Sequence, residues 1–124
     1  MGDYRQRLGS FGEKQAEKYL RRYGYQVIDR NFKTYYGEID LIAIKGDEIL
    51  FCEVKTRVGT DFGYPEEAVD GRKINHLLKA VDHYLQWKRW DKFWRLDIIS
   101  IEINKARKTA KIKWFKNVSE DFGF

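Results

Sequence analysis

The chain has 124 residues, enough for one compact core and too few for two ordinary domains, so the sequence predicts a single domain over residues 1–124. Hydrophobic residues make up 43% of it, which excludes global disorder, and the net charge of +5 favours a polyanionic partner. One cysteine excludes an intramolecular disulfide. Because no apolar run could serve as a signal peptide or a membrane span, the sequence predicts a cytoplasmic protein with no membrane association.

The first half of the chain has the pattern of one helix and three strands. Apolar and small residues recur at three- and four-residue spacing from residue 3 to about 23, which predicts an amphipathic helix that Gly24 ends. Val27 and Ile28 predict a short strand over residues 25–32. The stretch GEIDLIAIKGDEILFCEVKTR, residues 37–57, follows as two apolar strands with charged residues inside them.

The second half adds one helix and two strands. Residues 58–71 hold the only proline and three glycines, which predicts a long loop that could act as a lid. Residues 72–88 carry the clearest helical periodicity, and residues 94–103 and 109–115 are typical of closing strands. The order α-β-β-β-α-β-β predicts a mixed α+β or α/β domain whose five-stranded sheet is flanked by helices.

The charges of the central hairpin converge if Gly46-Asp47 forms a two-residue type II′ loop. Residues whose numbers sum to 93 then face each other, so Asp40 opposes Glu53 and Glu38 opposes Lys55 on one face. Opposed Cβ atoms lie about 4.5–5.5 Å apart, and two carboxylates at that separation repel unless a cation or a proton lies between them. Mg²⁺, which binds carboxylate oxygens, waters and phosphate, would relieve the repulsion, and Lys55 could approach a bound water or a phosphate oxygen. The alternative is an ordinary structural ion pair between Glu38 and Lys55.

Several motifs in this part of the chain resemble a known family. Asp40 followed after twelve residues by Glu53-Val54-Lys55 resembles the signature of the PD-(D/E)XK nuclease superfamily. The spacing from Gly9 to Glu13, with GEIDLIA and FCEVKTR, resembles more narrowly the YraN-like family of small bacterial proteins, which is similar to archaeal Holliday-junction resolvases. The resemblance extends from about residue 8 to 85. Ile39 stands where the name of the superfamily records a proline.

The resemblance implies a restriction-endonuclease-like core and Mg²⁺-dependent hydrolysis of phosphodiester bonds in nucleic acid, most simply DNA, with Mn²⁺ as a substitute ion. Asp40 and Glu53 would be metal ligands, with the Val54 backbone carbonyl as a third. Lys55 would orient the attacking water, and Glu13 would complete the catalytic set and is a further candidate ligand. A homodimer would suit symmetrical cutting of two strands.

Glu13 has two interpretations that spacing does not separate. If the helix begins at Ser10, Glu13 is only the last residue of a capping box. If it begins at Asp3, with Gln6 completing the box, Glu13 lies in mid-helix at the border of the apolar face.

Basic and aromatic residues provide candidates for nucleic-acid binding. Arg57, Arg72 and Lys73 flank the loop and could follow a phosphate backbone, and Tyr64 could stack on a base; a solvated basic rim is the alternative. The tryptophans of residues 87–114 lie among lysines and arginines. Core or interface packing explains the tryptophans better, and protection of an edge strand explains the lysines better.

Two other kinds of residue are weaker candidates. His76 and His83 are seven residues apart, which does not suit a shared metal, and Asp97 is expected to be a paired structural acid. A binding module without catalysis, and a protein-interaction adaptor that uses the tryptophans, are the rival functions.

Overall fold

The computed structural model describes residues 3–61 and 63–123. Phe62, which falls in the predicted loop, lies outside the described residues. The order predicted from sequence is confirmed, with two short helices added. The elements are α1 Tyr4–Arg22, β1 Gln26–Thr34, β2 Gly37–Lys45, β3 Glu48–Val58, a short 3₁₀ helix Pro65–Ala68, α2 Gly71–Lys88, β4 Phe93–Asn104, β5 Thr109–Phe115 and α3 Val118–Asp121.

The five strands form one mixed sheet in the order β1-β2-β3-β4-β5. Hairpins join β1 to β2, β2 to β3 and β4 to β5 in antiparallel pairs, whereas β3 and β4 are parallel. A parallel pair needs a crossover, and α2 provides it. The mixed sheet is consistent with the predicted restriction-endonuclease-like core.

The sheet carries an apolar core on each face because successive residues of a strand point to opposite sides. On the α2 side Phe51 packs with Ile42, Leu77 and Tyr84. On the α1 side the core consists mainly of small and aliphatic side chains: Ala16, Leu20, Leu41, Ala43, Leu50, Cys52, Val54, Ile99 and Ile101, with Tyr25.

Helix α1 begins at the earlier of the two predicted starts. Asp3 is the N-cap: its Oδ1 accepts from the Gln6 amide at 2.8 Å, and the Gln6 side chain accepts from the Asp3 amide. This reciprocal box satisfies two amides that the first turn leaves free. Glu13 is therefore a mid-helix residue and not part of a cap.

The β2–β3 hairpin has the predicted turn, and only part of the predicted register. Gly46 has a φ of 57°, and pairs that sum to 93 run from Lys45–Glu48 to Leu41–Cys52. There the ladder ends, so the predicted pairs Asp40–Glu53 and Glu38–Lys55 are wrong as strand neighbours.

The strands part because the alternation of β2 breaks. Ile39 and Ile42 both belong to the α2-side core although they are three residues apart, which strict alternation forbids. Between them, the Asp40 carboxylate takes up the position of a main-chain acceptor and receives the Val54 amide at 2.8 Å. We call this point, where β2 leaves β3, the strand fork.

The segment predicted as a long loop is partly ordered by packing. Its 3₁₀ helix buries Pro65, and Val69 joins the α2-side core. Lys113 of β5 reaches Glu66 at 2.8 Å. These contacts anchor residues 64–69 to the sheet, which does not suit a freely closing lid over that stretch.

Helices long and apolar enough to cross a membrane are absent from residues 3–61 and 63–123.

Candidate active site

The four predicted catalytic residues lie on three elements that meet around the strand fork. Asp40 comes from β2, Glu53 and Lys55 from β3, and Glu13 from α1. Val54 is fixed through its amide by Asp40; the role of its carbonyl stays a prediction.

Asp40 and Glu53 form a close pair of acids. Burial and the neighbouring Glu53 carboxylate raise the pKa of Asp40 to about 7, against the opposing effect of the Val54 amide. Glu53 is only 4% exposed, and its Oε2 has no hydrogen-bond partner. A buried acceptor without a partner is costly, so this pair is not explained by stability.

Two lysines approach Glu53, but neither is close enough to form a strong hydrogen bond with its carboxylate. Lys55 Nζ lies 3.5 Å from Glu53 Oε1, and Lys73 Nζ, at the start of α2, lies 3.9 Å from Oε2. Both distances are long for charge-assisted hydrogen bonds, which are about 2.7–2.9 Å. Lys73 was predicted as a phosphate contact, and the structure places it against an acid of the site.

Glu13 is oriented by a residue that the sequence analysis missed. Asn31 Nδ2 donates to Glu13 Oε1 at 2.8 Å. Burial raises the pKa of Glu13, the Asn31 hydrogen bond lowers it, and Asp40 and Glu38 add repulsion. Asp40 is thus close enough to Glu13 for the two charges to interact.

Asn31 reaches Glu13 because of an irregularity in β1. Its φ of 51° is left-handed, and it falls between the pairs Arg30–Leu41 and Phe32–Ile39, opposite Asp40. Asparagine adopts this conformation more readily than most residues. The sequence signal was therefore a polar Asn within an otherwise strand-like segment.

Close packing of α1 on β3 sets the height of Glu13 above the sheet. Gly12 is buried, and a Cβ at this position would overlap Thr56 Oγ1 and lie 3.0 Å from Thr56 Cβ. The glycine allows the helix backbone to touch β3 immediately beside Glu13.

Comparison with known proteins identifies the family. The model of the family described as "Uncharacterised protein family UPF0102" matches residues 12–101. The chain belongs to this family. The match confirms the resemblance to the YraN-like group of PD-(D/E)XK type, and it includes Glu13, Asp40, Glu53 and Lys55.

Relatives that align with this chain over most of their length support the same assignment. A UPF0102 protein of Syntrophomonas wolfei is 48% identical over 103 residues, 81% of this chain and 88% of the relative. Those of Caldicellulosiruptor saccharolyticus and Clostridium tetani are 37% and 38% identical, covering 89% and 94% of this chain and 94% and 97% of theirs. The UPF0102 names state a family and no reaction.

The donor set of this UPF0102 site fits a hard divalent cation. Asp40 and Glu53 offer adjacent carboxylates, and Glu53 Oε2 lacks a hydrogen-bond partner. Mg²⁺ commonly uses one or two carboxylates and completes its shell with water and phosphate. Among the described residues no three His, Cys, Asp or Glu side chains converge as a ready-made metal cage.

The remaining predicted nucleic-acid contacts lie on β3, in the first turn of α2 and just before the 3₁₀ helix. Arg57 is half-buried on β3 beside Glu102, and Arg72 is exposed on the first turn of α2. Tyr64 is half-exposed, with Lys113 Nζ 4.4 Å from its ring centre.

Asp97 is held in a hydrogen-bond network of its own. Asp97 is fully buried and accepts hydrogen bonds from the Arg95 guanidinium, from Trp114 Nε1 at 2.6 Å and from the Asn117 amide at 2.8 Å. It is the paired structural acid that the sequence predicted. His76 and His83 lie exposed on α2.

A cavity of about 690 Å³ lies between the end of β3 and the turn that joins β4 to β5. None of the four predicted catalytic residues lines it.

Proposed function

We propose that this protein is a Mg²⁺-dependent endonuclease that hydrolyses phosphodiester bonds in DNA, including branched repair or recombination intermediates, in the cytoplasm. The supporting observation is the pairing of Asp40 with the buried Glu53 at the strand fork, where one Glu53 oxygen has no hydrogen-bond partner. Mn²⁺ is expected to replace Mg²⁺, since both are hard cations that suit carboxylate ligands.

Each residue has a role that follows from its position. Asp40 and Glu53 would hold the metal, which when bound neutralises phosphoryl charge and acidifies a bound water. Lys55 contributes a fixed positive charge beside the acids, where charge develops on the phosphoryl group. Glu13 is held by Asn31, close enough to Asp40 for the two charges to interact, and can orient a water or a proton there.

The charge of the chain suits a DNA substrate. Its net charge of +5 opposes the local negative charge of the site, so phosphate can approach despite three carboxylates. A homodimer would place two such sites on two strands, and sedimentation with and without DNA measures whether one forms.

The decisive experiment is a cleavage screen on linear, single-stranded and branched DNA, and on RNA, with Mg²⁺ or Mn²⁺. Lys55→Ala is expected to lower the cleavage rate at least about 100-fold, because one well-placed electrostatic contact is worth about that much. Lys111→Ala, which removes the same charge from exposed β5, should cut like wild type. Equal cutting by wild type and Lys55→Ala would contradict the proposal.

Metal binding gives an independent test. Calorimetric titration with Mn²⁺ should show binding to wild type and a large loss in Asp40→Ala. If neither ion binds wild type, the nuclease proposal fails. DNA binding without cleavage would then identify a non-catalytic binding module, and binding of neither DNA nor metal would favour an adaptor that uses the exposed Trp87 and Trp94.

A further inference from the structure

The tip of the β1–β2 hairpin presents two aromatic rings to solvent. Tyr35 and Tyr36 form the two-residue turn between the paired residues Thr34 and Gly37. Tyr35 is 97% exposed and Tyr36 is 44% exposed, and their rings meet edge to face at 5.4 Å. Turns usually carry small polar residues, so two tyrosines here are not explained by the turn.

The exposed aromatic surface continues from this turn along helix α2. Lys79 Nζ lies 5.4 Å from the Tyr36 ring centre, the His83 ring contacts Phe32, and Trp87, 63% exposed, stacks on Phe32 at 6.0 Å. Lys79, His83 and Trp87 are four residues apart in turn and share one side of the helix. We call this surface the aromatic edge: Phe32, Tyr35, Tyr36, Lys79, His83 and Trp87.

The aromatic edge and the acids of the candidate site belong to the same hairpin. Tyr36 lies four residues before Asp40 on the chain, about 13 Å at the rise of a strand. Asn31, which orients Glu13, lies on the other strand of this hairpin. A strand of nucleic acid with a phosphate near Asp40 could therefore reach the turn within a few nucleotides.

We propose that the aromatic edge binds unpaired bases, so that the preferred DNA contains a single-stranded segment; the inference rests on the proposed function. Exposed rings beside cations bind single strands because each base has a face that stacks, whereas in a duplex both faces are already stacked. The Lys79 ammonium also argues against self-association, since a second copy would bring a like charge to the same surface.

The test compares binding of single-stranded and blunt duplex DNA by fluorescence anisotropy, in EDTA so that no cleavage is needed. The variants are the double replacements Tyr35→Ala with Tyr36→Ala and Tyr35→Phe with Tyr36→Phe. Tyr4→Ala is the matched control: Tyr4 is 51% exposed, and Lys105 Nζ lies 5.5 Å from its ring centre on another surface. Thermal unfolding verifies that every variant folds.

We expect the double alanine variant to bind single strands at least about tenfold more weakly, since stacking on one base is worth about that much. Its affinity for duplex should change less than about twofold, and the phenylalanine and Tyr4→Ala variants should bind single strands like wild type. Equal loss for both DNA forms, or no loss, would overturn the inference. So would a wild-type dimer that the alanine variant dissociates, because the edge would then be a subunit interface.

The two proposals fail separately. If the double alanine variant selectively loses single-strand binding, and neither wild type nor any variant cleaves DNA, the aromatic edge is a binding surface and the nuclease proposal is refuted. Cleavage that depends on Lys55 and does not change in the tyrosine variants refutes the aromatic edge alone.

Discussion

At the scale of single residues, the most informative feature is the pair of acids at the strand fork. The half-buried Asp40 carboxylate accepts a hydrogen bond from the Val54 amide and still lies against Glu53, which is buried. The fold therefore carries an electrostatic cost at this point when no metal ion is bound. Such a cost is common where a site is arranged for a ligand and not for stability.

The cost predicts that Asp40→Asn stabilises the metal-free protein. A carboxyl whose folded pKa of about 7 exceeds its ordinary 3.8 destabilises the fold above about pH 7, and this penalty fades as the pH falls toward 4. In EDTA at pH 8 we expect the free energy of unfolding to rise by about 2 kcal/mol, while the difference from wild type shrinks at pH 5. Urea unfolding at both pH values measures it.

Asp91→Asn controls for the loss of one negative charge, since Asp91 is exposed after α2. It should leave stability within about 0.5 kcal/mol of wild type. Unchanged stability of Asp40→Asn at pH 8 would mean that the two carboxylates do not repel in the free protein.

The sequence supported Asp40, Glu53 and Lys55 because their spacing and their position on two apolar strands are local properties. It could not decide the role of Glu13, since two helix starts were compatible with the same letters. Asn31 and Lys73 were missed as partners of the acids because each contact depends on where a distant element packs. Chain separation, not chemistry, limited the prediction.

At the scale of elements, the strands and helices were predictable from periodicity, and the hairpin register from one turn. The predicted register is wrong beyond Leu41–Cys52, because β2 stops alternating there. That break depends on how the side chains pack into the cores on the two faces of the sheet. Hydrophobicity alone does not reveal that break, since Ile39, Leu41 and Ile42 are all apolar.

The docking of α1 on β3 predicts opposite effects for two glycines of one helix. A Cβ at Gly12 would overlap Thr56, whereas a Cβ at Gly9 has nothing within 4 Å. Gly12→Ala is expected to destabilise the protein by about 1–3 kcal/mol through overpacking. Gly9→Ala should stabilise it by about 0.5–1 kcal/mol, because alanine favours a helix.

Denaturant unfolding of the two variants measures this difference, and each serves as the control for the other. Gly12→Ala is also expected to weaken Mn²⁺ binding or cleavage, because lifting α1 moves Glu13 away from Asp40. Wild-type stability in Gly12→Ala would show that α1 can shift without cost.

At the scale of the whole molecule, Asp97 connects parts of the chain that are distant in sequence. Its hydrogen bonds join Arg95 on β4, Trp114 on β5 and Asn117 before α3. Arg95 in turn reaches Glu48 at the start of β3. This network holds β4, β5 and the start of β3 together around a fully buried acid, so its loss should lower the stability of the fold.

Cys52 provides a measurement of cooperative unfolding. It is the single cysteine, it is fully buried, and burial raises the pKa of its thiol. We expect almost no reaction with a thiol reagent at pH 8 in the native state, and a rate in denaturant that follows global unfolding. Rapid labelling without denaturant would mean that the centre of the sheet opens locally. A circular dichroism transition in parallel provides the control.

The strand fork has a mechanical consequence for the hairpin beyond it. From Ile44 to Leu41, strand β2 pairs with β1 on one side and with β3 on the other. From Asp40 to Gly37 it has only β1 as a paired neighbour. The end of the hairpin is thus attached to β3 only at its base, where Leu41 pairs with Cys52. The contact of Phe32 with Tyr84 gives it a second support. A displacement of the tyrosine turn, for example by a bound ligand, would therefore act on the base of the hairpin. Asp40 is the residue next to that base.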